Sequence, residues 1–579
     1  MGENGGAPPP AGSSGRPPAP PGIPVPGSPR RRGPGPGAGG GAGPGPPHGS
    51  PARSLPGSRS QTPPDGAHMR NLSIGRSASF QHLGDGEPDP NNPMPHSIPP
   101  PTETGNLSEK HVIVMVGLPA RGKTHMARRL ARYLSFVHGA DIQVFNVGQY
   151  RRNFIGKNMP PEFYDHDNAR NSEARQACAE AAMKDMKTFL FQDRRQQALV
   201  DLAYDGSAVK GVDSGLIGIY DATNTTRKRR KWIAEQLKGL PIKLLFIESV
   251  CTDQQIIDRN IWVSKVRNED FEATEREKAF MEFKQRIVFY ERVYEPMDEE
   301  ELSWVKMINC GQRLVMNRMK GFLPLRIVQF LANMHATEHS IYLTRHGQSE
   351  YNVLGKIGGD SPITEAGERY ARELAKFAEE RICTSEYGQP VKARLWTSSM
   401  VRTIQTAQHI KRPKLQFDGQ SWTQMSHRIY RNLDELYAGI CDGMTYKEIE
   451  EAFPDDFARR KADKLRYRYP RGESYLDIIS RLDPLIMEME SYHEPLLVIG
   501  HQAVLRLIYA YFMGYTREES PTLSIPLNTV IKLTPKTYDC EESRITLGNL
   551  GNPEDGQAEP SDKAPDLWLR HSQRDPPSH

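Results

Sequence analysis

The chain has 579 residues, too many for one hydrophobic core, so we expect two folded domains with unstructured extensions. Lysine and arginine total 75 against 71 aspartates and glutamates, and this near balance argues against a dedicated nucleic-acid binder. The six cysteines form no CxxC pair, so the sequence predicts neither a disulfide framework nor a zinc site. With no apolar run of roughly 20 residues and no secretory leader, we expect a cytoplasmic protein without a membrane partner.

Composition predicts the domain boundaries. Residues 1–105 are dominated by Pro, Gly, Ser and Arg, so they predict a disordered regulatory tail. The polar segment 537–579 predicts a second disordered tail. Between the tails we expect two α/β domains, at residues 106–337 and 338–536, each of ordinary size.

Short apolar runs predict the strands of both domains. In the first domain they lie at residues 111–117, 142–148, 216–221 and 242–249, as in a parallel sheet buried on both faces. The second domain repeats the pattern with SIYLTRHG, KARLWTSS, LLVIGH and TVIKLTP, and with predicted helices at residues 366–381 and 475–492. Because no internal sequence repeat is found, we expect two different α/β folds in tandem.

A phosphate-binding motif follows the first predicted strand. The stretch GLPARGKT, from Gly117 to Thr124, fits GxxxxGK[ST] and runs into the predicted helix HMARRLARYL. In such a loop the backbone N–H groups surround phosphate oxygens, Lys123 neutralises charge and Thr124 offers its hydroxyl to Mg²⁺. A plain glycine turn is the alternative, but the position between a strand and a helix favours a nucleotide site.

A nucleotide site also needs a carboxylate near the metal ion. Asp221 ends the strand LIGIYD, where a parallel sheet would present its side chain at the crevice, although a lone aspartate is often a helix cap. Arginine forks suit phosphate oxygens, so a phosphorylated acceptor is predicted, although arginines on helices are often solvated. The candidates are Arg151, Arg152, Arg175 and Arg286, the last with Tyr290.

The second domain carries a histidine and arginine constellation. Arg345 and His346 end the strand SIYLT, His501 ends LLVIG, and Arg402 lies at the start of a predicted helix. Together they can surround one phosphoryl group, with one histidine as nucleophile and the other groups stabilising charge. Each histidine alone could be structural, but the set favours a phosphatase. Glu435, in LDELYAG, is the best carboxylate for a general acid.

These two motif sets, in this order, closely resemble the bifunctional 6-phosphofructo-2-kinase/fructose-2,6-bisphosphatase family. The resemblance covers roughly residues 106–535 and rests on GLPARGKT, FNVGQYRR, DATNTTRKRR, RHGQSEYN, GKIGGDSPIT, WTSSMVRTIQTA, YRYPRGESY and GHQAVLR. It implies a P-loop kinase domain followed by a histidine-phosphatase domain of the phosphoglycerate mutase-like type. The implied activities make fructose 2,6-bisphosphate from ATP and fructose 6-phosphate and hydrolyse it through a phosphohistidine, which regulates glycolysis.

The resemblance also implies roles for individual residues. ATP would be held by Gly117, Ala120, Arg121, Gly122, Lys123, Thr124, Asn260 and Lys265, with Thr124 and Asp221 on Mg²⁺ and with Thr223 and Asn224 completing the site. Fructose 6-phosphate would be held by Arg151, Arg152, Arg175, Arg286 and Tyr290. In the phosphatase, His346 would carry the phosphoryl group, Glu435 would protonate the leaving oxygen, and Arg345, Asn352, Arg402 and His501 would stabilise the transfer. The rest of the bisphosphate would be bound by Gly358, Tyr446, Arg460, Lys464, Tyr475, Gln502 and Arg506.

The chain departs from the family pattern in several places. Extensions that read as loop insertions lie at residues 193–216 and 412–432, and KVRNEDF, which begins at Lys265, also differs. After Glu435 the family usually has an aliphatic residue and then Asp, whereas Tyr437 stands here.

Regulation, assembly and rival functions stay open at this point. Ser73 and Ser79 each follow an arginine by three residues, as basophilic protein kinases prefer, so a kinase acting on the tail is one hypothesis. The resemblance implies a homodimer formed through the kinase domain. The rivals are a polynucleotide end-healing kinase/phosphatase and a scaffold with one decayed site.

Overall fold

The computed structural model describes residues 109–192, 215–264, 275–335, 338–536 and 539–548. The predicted tail 1–105 with Ser73 and Ser79, Lys265, and most of the 193–216 extension lie outside these residues. Among the described helices, none combines the length and the apolar character needed to cross a bilayer.

The first domain is built on a six-stranded sheet in the order β2-β3-β1-β4-β5-β6. Its strands are β1 Lys110–Val116, β2 Asp141–Asn146, β3 Leu216–Asp221, β4 Ile242–Val250, β5 Trp304–Ile308 and β6 Arg313–Asn317. All neighbours are parallel except β5 and β6. The strands predicted from these apolar runs are therefore confirmed. Strands covered on both faces need apolar residues at nearly every position, which is why such runs indicate them.

In the described part of the domain seven helices cover this sheet, and five of them carry predicted site residues. They are α1 Lys123–His138, α2 Val147–Phe154, α3 Ala169–Phe191, α4 Arg227–Leu237, α5 Gln254–Ser264, α6 Arg276–Glu291 and α7 Phe322–Asn333. The first begins directly at the phosphate-loop lysine, so the N–H groups of its first turn point toward the loop.

The second domain has its own six-stranded sheet, in the order β11-β8-β12-β7-β13-β14. Its strands are β7 Ile341–Arg345, β8 Arg394–Thr397, β11 Ser426–Ile429, β12 Leu496–Gly500, β13 Thr529–Pro535 and β14 Cys540–Thr546, and a separate hairpin pairs β9 Lys414–Phe417 with β10 Gln420–Thr423. The central strands β7 and β12 are parallel, with Gly500 opposite Arg345, so the segments that follow them meet at one edge.

The helices of the second domain are α8 Glu350–Leu354, α9 Glu365–Phe377, α10 Val401–Thr406, α11 Tyr446–Ala452, α12 Pro454–Ala462, α13 Tyr475–Ser491 and α14 Gln502–Met513. The predicted helix at residues 366–381 corresponds to α9 and a following π-helical turn, Ala378–Ile382. The predicted helix at residues 475–492 corresponds to α13.

Two sequence predictions about the second domain are wrong. The domain does not end at residue 536, because β14 pairs antiparallel with β13 and forms the edge of the sheet. The 412–432 extension is not a plain loop, because it contains the β9–β10 hairpin and β11, which pairs with β8. Both segments are mostly exposed and polar, so they lack the apolar alternation from which strands are predicted, and backbone hydrogen bonds hold them at sheet edges.

The two domains share a packed and charged joint. Helices α1 and α7 of the first domain contact α13 and α14 of the second, and one continuous apolar cluster includes Leu130, Phe330, Ile486 and Phe512. At its centre the buried carboxylate of Glu490 forms ion pairs with arginines of α1. The joint therefore connects the helix of the phosphate loop to the helix that follows His501.

Candidate active sites

The phosphate loop of the first domain has the backbone conformation that its glycines allow. Gly117, Ala120 and Gly122 all have positive φ, at 131°, 59° and 78°. A Cβ on Gly117 would lie 2.4 Å from the carbonyl oxygen of Ser249, so no larger residue fits there. The loop is braced from outside, because the Asn260 side-chain amide donates to the carbonyl of Ala120 at 3.1 Å.

Oxygen donors suited to a magnesium ion lie at the start of α1. The Thr124 hydroxyl donates to a carboxylate oxygen of Asp221 at 2.8 Å, and the Asn146 amide donates to the same oxygen at 2.5 Å. Asp221 is almost fully buried at the end of β3. A hydroxyl and a carboxylate beside a phosphate-binding helix N-terminus fit Mg²⁺, which binds few protein oxygens and otherwise water and phosphate.

The other predicted nucleotide-site residues connect the loop to its neighbours. The Lys123 ammonium group donates to the carbonyl of Leu118 at 2.6 Å, and the Gly117 N–H donates to the carbonyl of Thr223 at 2.8 Å. Asn224 is buried, and its amide donates to the carbonyl of Met115 at 2.8 Å. The Asn224 side chain therefore ties the β3 loop to β1.

Arg121 is tied to the far wall of the site. Its carbonyl accepts a hydrogen bond from the Ser249 hydroxyl, and its guanidinium lies 3.4 Å from the Glu291 carboxylate. Burial lowers the pKa of Arg121 from its ordinary value, and Glu291 opposes that shift.

A cavity of about 1280 Å³ joins the phosphate loop to the predicted sugar-phosphate residues. Its lining includes Tyr290 and all four of the arginines that the sequence predicts to bind one substrate. The Arg286 guanidinium carbon lies 3.8 Å from the Tyr164 ring centroid, and an Arg151 nitrogen donates to the carbonyl of Gly156 at 3.0 Å. An Arg175 nitrogen donates to the carbonyl of Asp165 at 3.2 Å. The cavity thus places several guanidinium groups near the phosphate loop.

In the second domain, His346 lies buried at the end of β7. Its Nδ1 lies 2.8 Å from the carbonyl oxygen of Gly347, and because a carbonyl can only accept, Nδ1 carries the proton. Nε2 therefore keeps its lone pair. Burial, and then the nearby charges of Arg402 and Arg345, hold the pKa of His346 well below its ordinary value. The residue is a neutral imidazole at neutral pH, as a nucleophile must be.

His501 lies beside His346, with 5.2 Å between the ring centroids. Its Nε2 lies 2.7 Å from the Ser398 hydroxyl, which in turn lies 2.8 Å from the Thr403 hydroxyl. Among the described residues, no side chain or backbone group hydrogen-bonds to His501 Nδ1. Burial lowers the pKa of His501 well below its ordinary value, so it too is neutral.

Two buried arginines and one glutamate complete the centre. Arg345 donates to the carbonyl of Ile525 at 3.2 Å, and Arg402 donates to the carbonyl of Gly359 at 2.7 Å. The Glu435 carboxylate accepts from the backbone N–H of Ala503 at 3.2 Å, at the start of α14, one residue beyond Gln502. This backbone contact holds the predicted acid directly beside the His501 loop.

Three cationic side chains predicted to bind the rest of the bisphosphate lie close together. Lys464 donates to the carbonyl of Pro521 at 3.0 Å, Arg506 lies 3.3 Å from the Tyr475 hydroxyl, and Arg460 lies 3.0 Å from the Tyr446 hydroxyl. Burial, followed by the charges of Arg506 and Arg460, lowers the pKa of Lys464 to about 8. The smaller, electrostatic part of this lowering shows that the three cationic groups lie close enough to repel one another.

Two further predicted residues have structural contacts that the sequence did not indicate. Asn352 forms a capping box with Ser349 at the start of α8, and its side-chain oxygen accepts the Ser349 N–H at 3.0 Å. Gly358 has a φ of 66°, and a Cβ there would lie 1.7 Å from a carboxylate oxygen of Asp442. Tyr437, which stands where the resemblance implies a second carboxylate, is about half exposed.

Two residues that hold the centres in place were not predicted from the sequence. Ser398 supports His501, and Asn146 shares the Asp221 carboxylate with Thr124. Both belong to stretches quoted for the resemblance, WTSSMVRTIQTA and FNVGQYRR, and both lie at the carboxyl ends of strands or just beyond them. Their positions at strand ends could have indicated these two residues. The residues that they contact, however, are far away in the sequence.

Two family models match the chain, one in each domain. The 6-phosphofructo-2-kinase family model matches residues 101–206 and 207–338, and the histidine phosphatase superfamily (branch 1) model matches residues 341–547. Among solved structures, alpha-ribazole phosphatase from Shigella flexneri is 18% identical, with a TM-score of 0.30 over 36% of this chain and 96% of that one. Mycobacterial glucosyl-3-phosphoglycerate phosphatase is 20% identical, with a TM-score of 0.29 over 36% and 99%.

Full-length relatives match both domains together. The 6-phosphofructo-2-kinase/fructose-2,6-bisphosphatase of Aquarana catesbeiana is 42% identical over 439 residues, which cover 75% of this chain and 84% of the relative. Form 1 of Homo sapiens is also 42% identical, over 440 residues that cover 75% and 84%. The chain belongs to the bifunctional 6-phosphofructo-2-kinase/fructose-2,6-bisphosphatase family.

Proposed function

We propose that the two centres catalyse opposite reactions of one metabolite, as expected for a member of this family, through the residues described above. The first centre transfers a phosphoryl group from ATP to fructose 6-phosphate, and the second hydrolyses the resulting fructose 2,6-bisphosphate. The observation that carries the proposal is the pair of buried, neutral histidines near two buried arginines, present in the same chain as a complete phosphate loop. The family match in both halves does not favour the end-healing or scaffold alternatives.

In the kinase centre, the phosphate loop and the N-terminus of α1 would bind the ATP phosphates. The Lys123 ammonium group would donate hydrogen bonds to phosphate oxygens in place of the Leu118 carbonyl, and it would offset the phosphate charge. Thr124 and Asp221 would hold Mg²⁺, which neutralises charge on the transferring group. The arginines across the cavity would fix the 6-phosphate of the acceptor, so the sugar hydroxyl lies near the loop.

In the phosphatase centre, Nε2 of His346 would attack the 2-phosphoryl group while Glu435 gives a proton to the leaving sugar oxygen. Water would then attack the phosphohistidine, and the Glu435 carboxylate would take its proton. Arg345, Arg402 and His501 would stabilise the negative charge on the transferring group. The positive wall of Arg460, Lys464 and Arg506 would hold the remaining phosphate of the sugar.

Three further points rest on the sequence: the homodimer on the family resemblance, the tail serines on their spacing from arginine, and the compartment on the scattered cysteines and the lack of an apolar leader. We propose that the enzyme acts in the cytoplasm, that it forms a homodimer through the kinase domain, and that a basophilic protein kinase modifies Ser73 or Ser79. Sedimentation of the full chain tests the dimer, and mass spectrometry after treatment with a basophilic kinase tests the serines. Monomeric protein, or unmodified serines, would contradict these points without affecting the two activities.

A paired assay on the purified full chain tests the two-centre assignment. Lys123→Ala should reduce fructose 2,6-bisphosphate formation on the order of 10³-fold and leave its hydrolysis intact, and His346→Ala should do the reverse. His409→Ala is the matched histidine control, because His409 is partly exposed and pairs with Glu368 on the surface. If either variant abolished both activities while still folded, the assignment to separate centres would be wrong.

A further inference from the structure

Two cysteines lie together at the carboxyl ends of neighbouring strands in the kinase domain. Cys251 directly follows β4, and Cys310 follows β5 by two residues. The strands are parallel, with Val250 opposite Ile308, and the Asn309 N–H donates to the carbonyl of Val250 at 2.9 Å. Paired strands lie about 4.8 Å apart, and Cys310 is one residue beyond the position opposite Cys251, so the two cysteines are close neighbours at the strand ends.

The backbone around both cysteines is fixed. Asn309 and Cys310 have φ values of 48° and 56°, which turn the chain back toward β6. The Asn309 side-chain oxygen accepts from both the N–H and the hydroxyl of Thr252, at 3.0 and 3.2 Å. The turn that carries one cysteine is therefore tied to the residue that follows the other.

The pKa values of the two thiols are shifted in opposite directions. The Cys310 thiol hydrogen-bonds to the Cys251 sulfur, and this contact is the main reason that the pKa of Cys251 falls below its ordinary value while that of Cys310 rises. A thiolate beside a thiol is the arrangement in which the first sulfur attacks an oxidant and the second resolves the product.

We propose that Cys251 and Cys310 are a redox modification site, oxidised by peroxide to a reversible disulfide that weakens the kinase centre. The Cys251 thiolate attacks one peroxide oxygen, so an S–O bond forms, the O–O bond breaks, and the hydroxide released takes a proton to become water. The Cys310 sulfur then attacks the sulfenic acid, the S–S bond forms, and a second water leaves. Two thiols are oxidised and one hydrogen peroxide is reduced to two waters.

The site can affect the kinase because both cysteines line the cavity of the phosphate loop. The Cys251 thiol lies 3.8 Å from the carbonyl of Asp253, whose carboxylate accepts the N–H of Gln255 at the start of α5 at 2.9 Å. Helix α5 carries Asn260, which braces Ala120 of the phosphate loop. A bridge to Cys310 would pull the sulfur from this position and displace the wall that supports the loop.

The effect on catalysis rests on the kinase function proposed above, whereas formation of the disulfide does not. We expect the oxidised full chain to show a severalfold higher KM for ATP, restored by dithiothreitol, with unchanged bisphosphate hydrolysis. Mass spectrometry of the alkylated, non-reduced digest should show the Cys251 and Cys310 peptides linked. Cys310→Ala should show neither the linked peptides nor the reversible inhibition. For the variant and for the unaltered chain, the oxidised protein is compared with the reduced form of the same protein.

Cys178→Ala is the matched control. Cys178 also lines the cavity, but burial raises its pKa, so this variant should remain as sensitive to peroxide as the unaltered chain. Absence of the linked peptide after peroxide treatment would overturn the proposed site. A linked peptide with an unchanged KM for ATP would overturn the regulatory effect. A reduced enzyme that forms no fructose 2,6-bisphosphate would instead count against the kinase assignment, because the link is measured independently.

Discussion

The charged joint between the domains predicts a large and specific loss of stability. Glu490 of α13 is 1% exposed, and its carboxylate pairs with Arg129 and lies 3.1 Å from an Arg132 nitrogen of α1. The Tyr511 hydroxyl donates to the same carboxylate at 2.6 Å. One buried anion therefore balances two guanidinium groups that are only 12% and 9% exposed.

Glu490→Gln keeps the shape of the side chain and removes its charge. Removing one partner of a buried ion pair costs about 3–5 kcal/mol, because it leaves the opposite charge buried and uncompensated. Glutamine can still accept a hydrogen bond, so we expect the lower value, about 3 kcal/mol. For domains of this size, that loss lowers the melting temperature by roughly 6–12 °C.

Glu488→Gln is the matched control on the same helix. Glu488 pairs with Arg428 at 2.8 Å, but these side chains are 30% and 50% exposed, so the change should cost less than about 1 kcal/mol. Scanning calorimetry of both variants at equal protein concentration measures the difference. Equal melting temperatures for the two variants would refute the view that the buried carboxylate holds the domains together.

Three further outcomes follow from the described contacts. Ser398→Ala removes the hydrogen bond to His501. The variant should reduce phosphatase kcat about tenfold to a hundredfold without changing kinase kcat. A phosphatase rate equal to that of the unaltered chain would exclude a positioning role for Ser398. Burial lowers the pKa of His138 and of His339 from 6.5 to about 4, so the unfolded state binds more protons in this window. The stability that these two histidines contribute should thus be constant above about pH 6.5 and should fall by about 1.4 kcal/mol per pH unit for each histidine as the pH is lowered from 6.5 to 4, as urea unfolding at several pH values can show. Gly358→Ala should abolish phosphatase activity and lower the urea midpoint, since its φ is 66° and its Cβ would overlap a carboxylate; a normal midpoint and rate would contradict this.

Much of the sheet architecture could be predicted because buried parallel strands need apolar residues on both faces. The run predicted at residues 111–117 is β1, Lys110–Val116, and the run at 216–221 is β3. The same reasoning could not find β14, in which Cys540 is the only buried residue and whose ladder consists of backbone hydrogen bonds. A sequence pattern indicates a strand through its buried apolar residues, and an exposed edge strand has few of them.

The centres were predictable where one short segment carries the chemistry, as in the phosphate loop. Contacts between distant segments were not predictable from spacing. Thr124 and Asp221 are 97 positions apart, and Ser398 and His501 are 103 apart. Both pairs meet because parallel strands deliver their carboxyl ends to one edge of each sheet. Asn352 shows the opposite case, since its capping contact with the neighbouring Ser349 is local but was not read from the sequence.

The joint and the two centres are connected through two helices. Helix α1 begins at the phosphate loop and α14 begins beside His501, so each helix presents its N-terminus to one centre. Farther along, both helices are bound to Glu490, through Arg132 on α1 and Tyr511 on α14. A change at Glu490 therefore displaces supports of both centres, whereas a change at Ser398 affects one. If loss of the joint altered only stability and neither activity, the two helices would be packing elements that do not couple the centres.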